Sequence, residues 1–216
     1  MLNDTHRHKG LRKKLVDELR RKGIANEEIL EAINRVPRHL FMDSGFIDHA
    51  YVDKAFPIAA GQTISQPYTV AFQTSLLEVK RGDKILEIGT GSGYQAAVLL
   101  ELGARVYTIE RQKELFMSVQ KFLPKIGYHP QFFFGDGYLG KENYGPFDKI
   151  LITAAAPYIP DELLKQLKTN GIFVAPVGGQ NAQKMLKIIK KGETDFETTE
   201  CGDFVFVPML KGTDGQ

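Results

Sequence analysis

A glycine-rich turn followed by an acidic residue is the clearest sign of chemistry in this chain. The segment "KILEIGTGSGYQAAVLL" predicts a strand, a turn containing Gly89, Gly91 and Gly93, and then a helix. Glycines permit close backbone approach to a ligand, and the helix N-terminus offers N–H groups to an anion. Glu110 ends the next predicted strand, where a carboxylate can accept hydrogen bonds from ribose hydroxyls. The pattern predicts a nucleotide-like ligand, with a purely structural tight turn as the alternative.

The spacing of the glycines narrows the class of nucleotide. A dinucleotide-binding fingerprint needs glycine or alanine at position 94, where this chain has Tyr94. A phosphate-binding P-loop needs a Gly-Lys-Ser or Gly-Lys-Thr sequence, and none follows the turn. An acid placed like Glu110 occurs in both NAD enzymes and methyltransferases. The glycine spacing therefore disfavours NAD, whereas Glu110 excludes neither class.

A second acidic position follows the third predicted strand in "FFFGDGY". Asp136 and Gly137 fall at the carboxyl edge of the sheet, where open α/β sheets bind their ligands. The Asp136 carboxylate could accept a hydrogen bond from an adenine amino group. The alternative is an Asp-Gly turn in which Asp136 caps a short helix.

The fourth predicted strand ends without a general base. In "ITAAAPYIP", Thr153 is followed by three alanines and Pro157. A carboxylate nucleophile, with a pKa of about 4, needs no base because it is already ionised at neutral pH. Its attack on the methyl group of a sulfonium neutralises charge, which a small dry pocket favours. The alanines predict a carboxylate acceptor, with close packing at a strand end as the alternative.

The stretch "ISQPY", upstream of the glycine turn, allows two interpretations of Ser65. It can be the N-cap of a helix with Pro67 in the first turn, or part of the active site. No histidine or acid is spaced around Ser65 to activate it as a covalent nucleophile. We therefore expect its hydroxyl to orient a substrate carboxylate, a role that is compatible with capping.

Alternating strands and helices position these residues. Two helices are predicted near the N-terminus, over 11–22 and from Asn26 to Pro37, followed by an irregular segment over 38–64. The later alternation predicts a mostly parallel sheet with helices on both faces, and two last strands without a helix between them predict an antiparallel edge. We divide the chain into an N-terminal helical and covering part, 1–80, and a core, 81–216. Strands are predicted at 84–88, 105–109, 131–134, 149–153, 172–176, 185–192 and 203–210, and helices at 93–103, 112–127 and 161–171.

Composition excludes several classes of protein. The 216 residues carry 28 basic and 26 acidic side chains, a net charge of +2 that gives no general phosphate-binding surface. The basic N-terminal stretch is interpreted as a solvated helix face, with nucleic-acid binding as the lesser alternative. No apolar run approaches the ~20 residues that span a bilayer, and no secretory signal is visible, so we expect a cytoplasmic protein. The single Cys201 predicts neither a disulfide nor a metal site.

Taken together, the motifs resemble those of the protein-L-isoaspartate (D-aspartate) O-methyltransferase family. The matching segments are "VPRHLF", "ISQPYTVA", "ILEIGTGSGYQAAVL", "GDGY" and "ITAAAPYIPDELLKQLKTNGIFVAPVG", in order. The resemblance implies a Rossmann-like class I S-adenosylmethionine-dependent fold with a mostly parallel seven-stranded sheet, an antiparallel C-terminal edge and an N-terminal helical subdomain. It implies methyl transfer to the α-carboxylate of isoaspartyl residues in damaged proteins, whose ester collapses to a succinimide and reopens partly to aspartate.

The resemblance also implies roles for individual residues. Ser65 takes the place of the family's active-site serine, and Tyr68 stands where some members have histidine. The expected partners are isoaspartyl proteins and peptides, with no nucleic acid, membrane or metal, and a monomer is favoured. The alternatives are a methyltransferase for RNA or a small molecule, an NAD enzyme, and a silent binding module. S-adenosylmethionine is expected to contact Gln62, Thr63, Ile64, Tyr68, Glu87, Gly89, Thr90, Gly91, Ser92, Glu110, Asp136 and Gly137, and the substrate to contact Ser65, Ala155, Ala156, Val177 and Gly178.

Overall fold

A seven-stranded sheet forms the centre of the molecule. The computed structural model describes residues 3–179 and 181–214. The strands of this sheet lie in the order β5-β4-β3-β6-β7-β8-β9, parallel from β5 to β7 and antiparallel from β7 to β9. This arrangement confirms the predicted fold class. The strands are β3 (Lys84–Ile88), β4 (Arg105–Glu110), β5 (Gln131–Phe134), β6 (Phe147–Ile152), β7 (Leu167–Gly178), β8 (Gln183–Lys190) and β9 (Phe196–Phe204), and a separate hairpin joins β1 (Phe56–Pro57) to β2 (Thr63–Ile64).

Helices cover both faces of the sheet, and the helices of the N-terminal part pack over them. The expected N-cap Asn26 accepts hydrogen bonds from the backbone N–H groups of Glu28 and Ile29. The α-helices are α1 (His6–Arg21), α2 (Glu27–Arg35), α3 (Pro67–Leu77), α4 (Tyr94–Glu101), α5 (Lys113–Phe122) and α6 (Asp161–Lys165). Among the described residues, no helix is long and apolar enough to cross a membrane.

The helix predicted over 161–171 is wrong beyond its first half. Helix α6 ends at Lys165, and β7 begins at Leu167 because Leu167 pairs with Phe147 of β6. The pairing register then shifts, so that Lys149 lies opposite Ile172. Asn170 takes a positive φ of 62° within this irregular stretch. Pairing with β6 overrides the helical pattern of the side chains.

The last predicted strand is also wrong. Strand β9 ends at Phe204, where the prediction 203–210 had placed its beginning. As an edge strand, β9 exposes polar residues of "ETTECGD" and so lacks the apolar pattern by which a strand is predicted. The apolar segment after it contains Pro208, which forms an isolated bridge with Ala155 at the end of β6. The chain therefore returns across the carboxyl edge of the sheet.

The N-terminal helices share an apolar cluster with the sheet domain. Leu19 and Ile33 are fully buried, and they belong to the same cluster as Val98 of α4 and Leu123 after α5. Two further clusters fill the space between the sheet and helices α3, α4 and α6. The N-terminal part is thus packed directly over the helices that follow β3 and β4.

Candidate active site

A cleft lies at the carboxyl ends of the parallel strands. The chain runs from β3 to β5 on one side of β3 and returns to β6 on the other, which creates the crevice where open α/β sheets bind ligands. The cleft brings ten of the predicted site residues together. These ten are Gln62, Thr63, Ile64, Ser65, Gly89, Thr90, Gly91, Ser92, Glu110 and Gly137.

The turn after β3 fits against the end of β6. Gly89 has a φ of +97°, and a Cβ at this position would lie 2.5 Å from Thr153 Oγ1. The Thr153 hydroxyl donates to the carbonyl oxygens of Gly89 at 2.6 Å and Ile88 at 2.9 Å. Only glycine meets both the conformation and the contact. Thr153 therefore holds the turn that forms the floor of the cleft, a role not predicted from the sequence.

Glu110 joins the end of β4 to the glycine turn. Its Oε2 accepts a hydrogen bond from the backbone N–H of Gly91 at 2.9 Å, and its Oε1 accepts one from Gln112 at 2.8 Å. The residue is only 4 % exposed, and this burial raises the pKa of its carboxyl above the usual value while the backbone N–H groups oppose the rise. Each oxygen retains a lone pair that can accept from a ligand.

Glu87 lies beneath the turn and not on the wall of the cleft. It is fully buried, and its Oε2 accepts a hydrogen bond from the Thr108 hydroxyl, which also lies 2.6 Å from the Thr90 hydroxyl. Burial raises the pKa of Glu87 to about 8, and Oε1 has no partner among the described residues. Glu87 thus reaches the cleft only through Thr108 and Thr90.

Asp136 also lies off the wall, although Gly137 is on it. The capping interpretation is confirmed, because Asp136 Oδ1 accepts from the backbone N–H of Tyr138 and so caps the 3-10 helix Gly137–Leu139. Its Oδ2 accepts from the backbone N–H of Gly212 at 2.7 Å. The C-terminal residues are thereby attached to the edge of the cleft beyond β5.

A segment from Gln62 to Ser65 faces the glycine turn and covers the cleft. It begins in the hairpin of β1 and β2, in which Ala60 and Gly61 both have positive φ. We call Gln62–Ser65 the covering segment. It lines the same cleft as the turn, so a ligand in the cleft would contact both.

Ser65 is not the N-cap of α3, so that prediction is wrong. Because Pro67 occupies the first helical position, Gln66 is the N-cap, and its side chain makes no capping bond. Asp53 Oδ1 accepts from the backbone N–H of Tyr68 at 2.7 Å and supplies the cap from another segment. The ring of Tyr68 packs against Phe72, outside the cleft. The Ser65 side chain is consequently available to the cleft.

The substrate residues expected after β6 do not line the cleft. The N–H groups of Ala155 and Ala156 donate to the carbonyls of Val207 and Pro176, and the N–H of Gly178 donates to Ala156. Val177 lies beside them, paired with Ala156. Of the alanine run, only Ala154 is on the wall. The backbone N–H groups that were expected to hold the substrate therefore already donate hydrogen bonds within the protein.

The returning C-terminal segment, residues 207–210, lines the cleft instead. The N–H of Met209 donates to the Ala155 carbonyl at 2.8 Å, which fixes the segment against the end of β6. Pro208 within the apolar run was the available sign that it is not a central strand. Other wall residues that sequence patterns missed are Val70, Ile88, Tyr94, Gln95, Ile109, Arg111, Gln112 and Thr153.

One group of possible metal ligands lies away from the cleft, at Asp4, His8 and His39. Arg12 donates to both carboxylate oxygens of Asp4, at 3.0 and 2.9 Å. His39 Nδ1 lies 2.7 Å from the Tyr51 hydroxyl, and its ring packs against that of His8 at 3.8 Å with a tilt of 32°. These contacts already engage the carboxylate and one ring, so the grouping is accounted for as a structural network.

Comparison with known sequences gives a consistent family. The family model described as protein-L-isoaspartate(D-aspartate) O-methyltransferase matches residues 10–214. A protein-L-isoaspartate O-methyltransferase of Flavobacterium psychrophilum is 61% identical over 211 residues, 97% of this chain and 99% of that protein. One of Cytophaga hutchinsonii is 58% identical over 214 residues, 99% of this chain and 96% of that protein.

Solved structures agree with the sequence relatives. A protein-L-isoaspartate O-methyltransferase superposes with a TM-score of 0.83 at 25% identity, covering 91% of this chain and 65% of that longer chain. A putative member from Plasmodium falciparum, solved in complex with S-adenosyl-L-homocysteine, gives a TM-score of 0.79 at 25% identity, covering 93% of this chain and 98% of that one.

Proposed function

This chain belongs to the protein-L-isoaspartate O-methyltransferase family, and from that membership we infer that it transfers a methyl group from S-adenosylmethionine to the α-carboxylate of isoaspartyl residues in damaged proteins. The methyl ester then collapses to a succinimide that reopens partly to normal aspartate. The chain is therefore a protein-repair enzyme. The alternative of RNA or a small molecule as acceptor is not favoured by these relatives.

The observation that carries this function is a cleft with a nucleotide-type floor and no general base. Among the described lining residues, Glu110 is the only carboxylate, and Gly91 and Gln112 hold it in place. No lining residue is histidine or lysine. A methyl acceptor that must lose a proton needs a general base, which these lining residues do not provide. A carboxylate acceptor is already ionised and needs none.

An acceptor carboxylate and a tight glycine turn support the binding of S-adenosylmethionine in the cleft. The lone pairs of Glu110 can accept from ribose hydroxyls, and the tight turn at Gly89 leaves the floor open to close approach. We propose that Gly89–Ser92 hold the amino-acid end of the cofactor, with Gly137 beside the adenine. When bound, the cofactor supplies an electrophilic methyl group on a positively charged sulfur.

We propose that the substrate enters between the covering segment and residues 207–210. The Ser65 hydroxyl would donate a hydrogen bond to the isoaspartyl carboxylate, and Ala154 would leave space beside it. Placement of the carboxylate against the methyl group then supplies most of the acceleration. Residues 1–80 would act chiefly as the cover and residues 81–216 as the cofactor-binding core.

The wider setting of the enzyme is also a proposal. A net charge of +2 supports activity without a nucleic-acid partner, and a single cysteine supports a reducing, cytoplasmic compartment. We propose that the enzyme acts as a monomer on isoaspartyl proteins and peptides. Sedimentation at several protein concentrations would test the oligomeric state.

Matched peptides test the reaction itself. Three peptides that differ only in isoaspartate, aspartate or asparagine at one position are incubated with methyl-labelled S-adenosylmethionine. We expect base-labile methanol release from the isoaspartyl peptide alone, and a matched D-aspartyl peptide would define the second substrate class. Transfer to none of them would overturn the assignment, and equal transfer to the aspartyl peptide would overturn the specificity.

A further inference from the structure

Arg38 is a buried cation bound to backbone carbonyls. Its side chain is 0 % exposed, and it donates hydrogen bonds to the carbonyl oxygens of Ala50 at 3.0 Å, Lys54 at 3.2 Å and Ser65 at 2.9 Å. Within residues 3–179 and 181–214, no carboxylate lies within 4 Å of it. Burial lowers the pKa of Arg38 to about 10, so the guanidinium remains charged at neutral pH.

This arrangement is costly for a purely structural residue. A buried charge without an opposite charge is unfavourable unless its hydrogen bonds are satisfied, and an apolar side chain of similar size would often stabilise such a site better. One of the three carbonyls belongs to Ser65, in the wall of the cleft. The guanidinium also lies 5.0 Å from the ring of Tyr94, the first residue of α4 after the glycine turn. Arg38 therefore contacts both sides of the site.

Asp53 binds the residues that directly follow Ser65 in the chain. Its Oδ1 accepts from the N–H of Tyr68 at 2.7 Å, and its Oδ2 accepts from the Gln66 amide at 3.0 Å and from Lys22 Nζ at 2.7 Å. Its side chain is 2% exposed. Arg38 thus fixes the backbone at Ser65, while Asp53 fixes the two sides of Pro67. We call Arg38 and Asp53 the clamp.

We propose that the clamp is a positioning device for the reaction, which orients the Ser65 hydroxyl towards the substrate carboxylate. The proposal rests on the function inferred above and adds two residues that do not themselves line the cleft. Catalysis by placement is sensitive to displacements of about 1 Å, so a loosened Ser65 lowers kcat. The forked guanidinium reaches three carbonyls at once, which a lysine ammonium on a flexible stem cannot reproduce in the same geometry.

The experiment compares Arg38→Met with the matched control Lys190→Met. Lys190 is also a buried cation that donates to two backbone carbonyls, those of Leu164 and Leu167, both at 2.9 Å, but it lies away from the cleft. For each variant, Tm, the Kd for S-adenosylhomocysteine, and kcat and KM for an isoaspartyl peptide are measured well below Tm. We expect both to lose Tm, and only Arg38→Met to lose about 10-fold or more in kcat.

A double-mutant cycle distinguishes positioning from stability. If Arg38 acts through Ser65, then Arg38→Met will cost much less kcat in a Ser65→Ala background than in the wild type. Arg38→Lys is expected to recover more Tm than kcat. Additive losses in the cycle, or wild-type kcat in Arg38→Met, would overturn the proposal.

Asp53→Asn provides the same test if the Arg38 variants fail to fold. It keeps the shape of the side chain and weakens the bonds to Gln66 and Tyr68. We expect it to lower kcat several-fold and to couple with Ser65→Ala, and an additive result would overturn the proposal. Failure of the wild-type enzyme to methylate the isoaspartyl peptide would instead refute the inferred function, so the two failures remain distinct.

Discussion

The floor of the cleft and the covering segment, which form two of its walls, are stabilised in different ways. The floor, from Gly89 to Ser92 with Glu110, is set by the register of parallel strands and by glycine conformations that no other residue adopts easily. The covering segment, Gln62–Ser65, has only a two-residue hairpin strand, and its Ser65 carbonyl is held by Arg38, a side chain 27 positions away in the chain. Regular structure thus fixes the wall that we propose for the cofactor, while a single side chain bonds the wall that we propose for the substrate. The two walls should therefore respond differently to mutation.

The largest effect is expected at the floor, with Gly89→Ala. The added Cβ meets Thr153 Oγ1 and the φ of +97° is unfavourable, so the turn must shift. We expect S-adenosylhomocysteine affinity to fall about 100-fold or more, measured by calorimetry, because the backbone can no longer approach the ligand closely. The control is Gly82→Ala, with a φ of +88° and nothing near its Cβ. It should lose about 1 kcal/mol of stability and keep its affinity; similar affinities for both variants would refute the prediction.

A second effect on the floor comes from Glu87→Gln. The pKa of Glu87 is about 8 in the folded protein against about 4.5 when unfolded. Between these values only the folded state holds the proton, so the free energy of unfolding of the wild type falls as pH rises, by up to about 1.4 kcal/mol per pH unit. The neutral glutamine lacks this dependence. We expect urea unfolding at pH 6, 7 and 8 to show that the free energy of unfolding of Glu87→Gln rises relative to that of the wild type as pH increases. A difference between the two proteins that stays constant with pH would contradict this prediction.

A smaller effect is expected at the covering segment, with Ser65→Ala. Loss of one hydrogen bond to a charged carboxylate costs about 1.5–3 kcal/mol, or about 10- to 150-fold in kcat/KM on an isoaspartyl peptide. S-adenosylhomocysteine affinity should change little. The matched control is Ser75→Ala, whose hydroxyl donates to the Ala71 carbonyl within α3. Unchanged kcat/KM in Ser65→Ala, with the fold intact, would remove the role of the hydroxyl.

The smallest effect is expected for Tyr68→His. Asp53 holds Tyr68 by its backbone N–H, and the ring packs on Phe72 outside the cleft. We expect kcat/KM and S-adenosylhomocysteine affinity to stay within about two-fold of the wild type. A side-chain change that removes no buried contact, helix cap or hydrogen-bond network usually has a small effect. A large loss would show that the ring enters the site, so that the cover depends on more than its backbone.

The same contrast explains which parts of the site the sequence predicted. Gly89 and Glu110 stand at strand ends within one continuous motif, and apolar strands locate the sheet edge at which they meet. Arg38 and Asp53 contact backbone groups of residues 27 and 15 positions away, and such contacts leave no periodic or paired side-chain signal. The apolar composition of residues 207–210 predicts a strand, since it carries no sign that the segment crosses the sheet edge and forms a wall of the cleft. Local pattern therefore predicted the floor, whereas residues 62–64, which also line the cleft, were expected only from the family resemblance.

The burial of Arg38 has a consequence for work in concentrated salt. Dissolved ions screen exposed charge pairs, such as Arg20 with Glu27 on the surface, but have little access to a fully buried guanidinium bound to carbonyl dipoles. The position of Ser65 should therefore vary little with ionic strength, even where the surface of the N-terminal helices loosens. Salt should then change the rate at which this enzyme meets charged protein substrates more than it changes the chemical step.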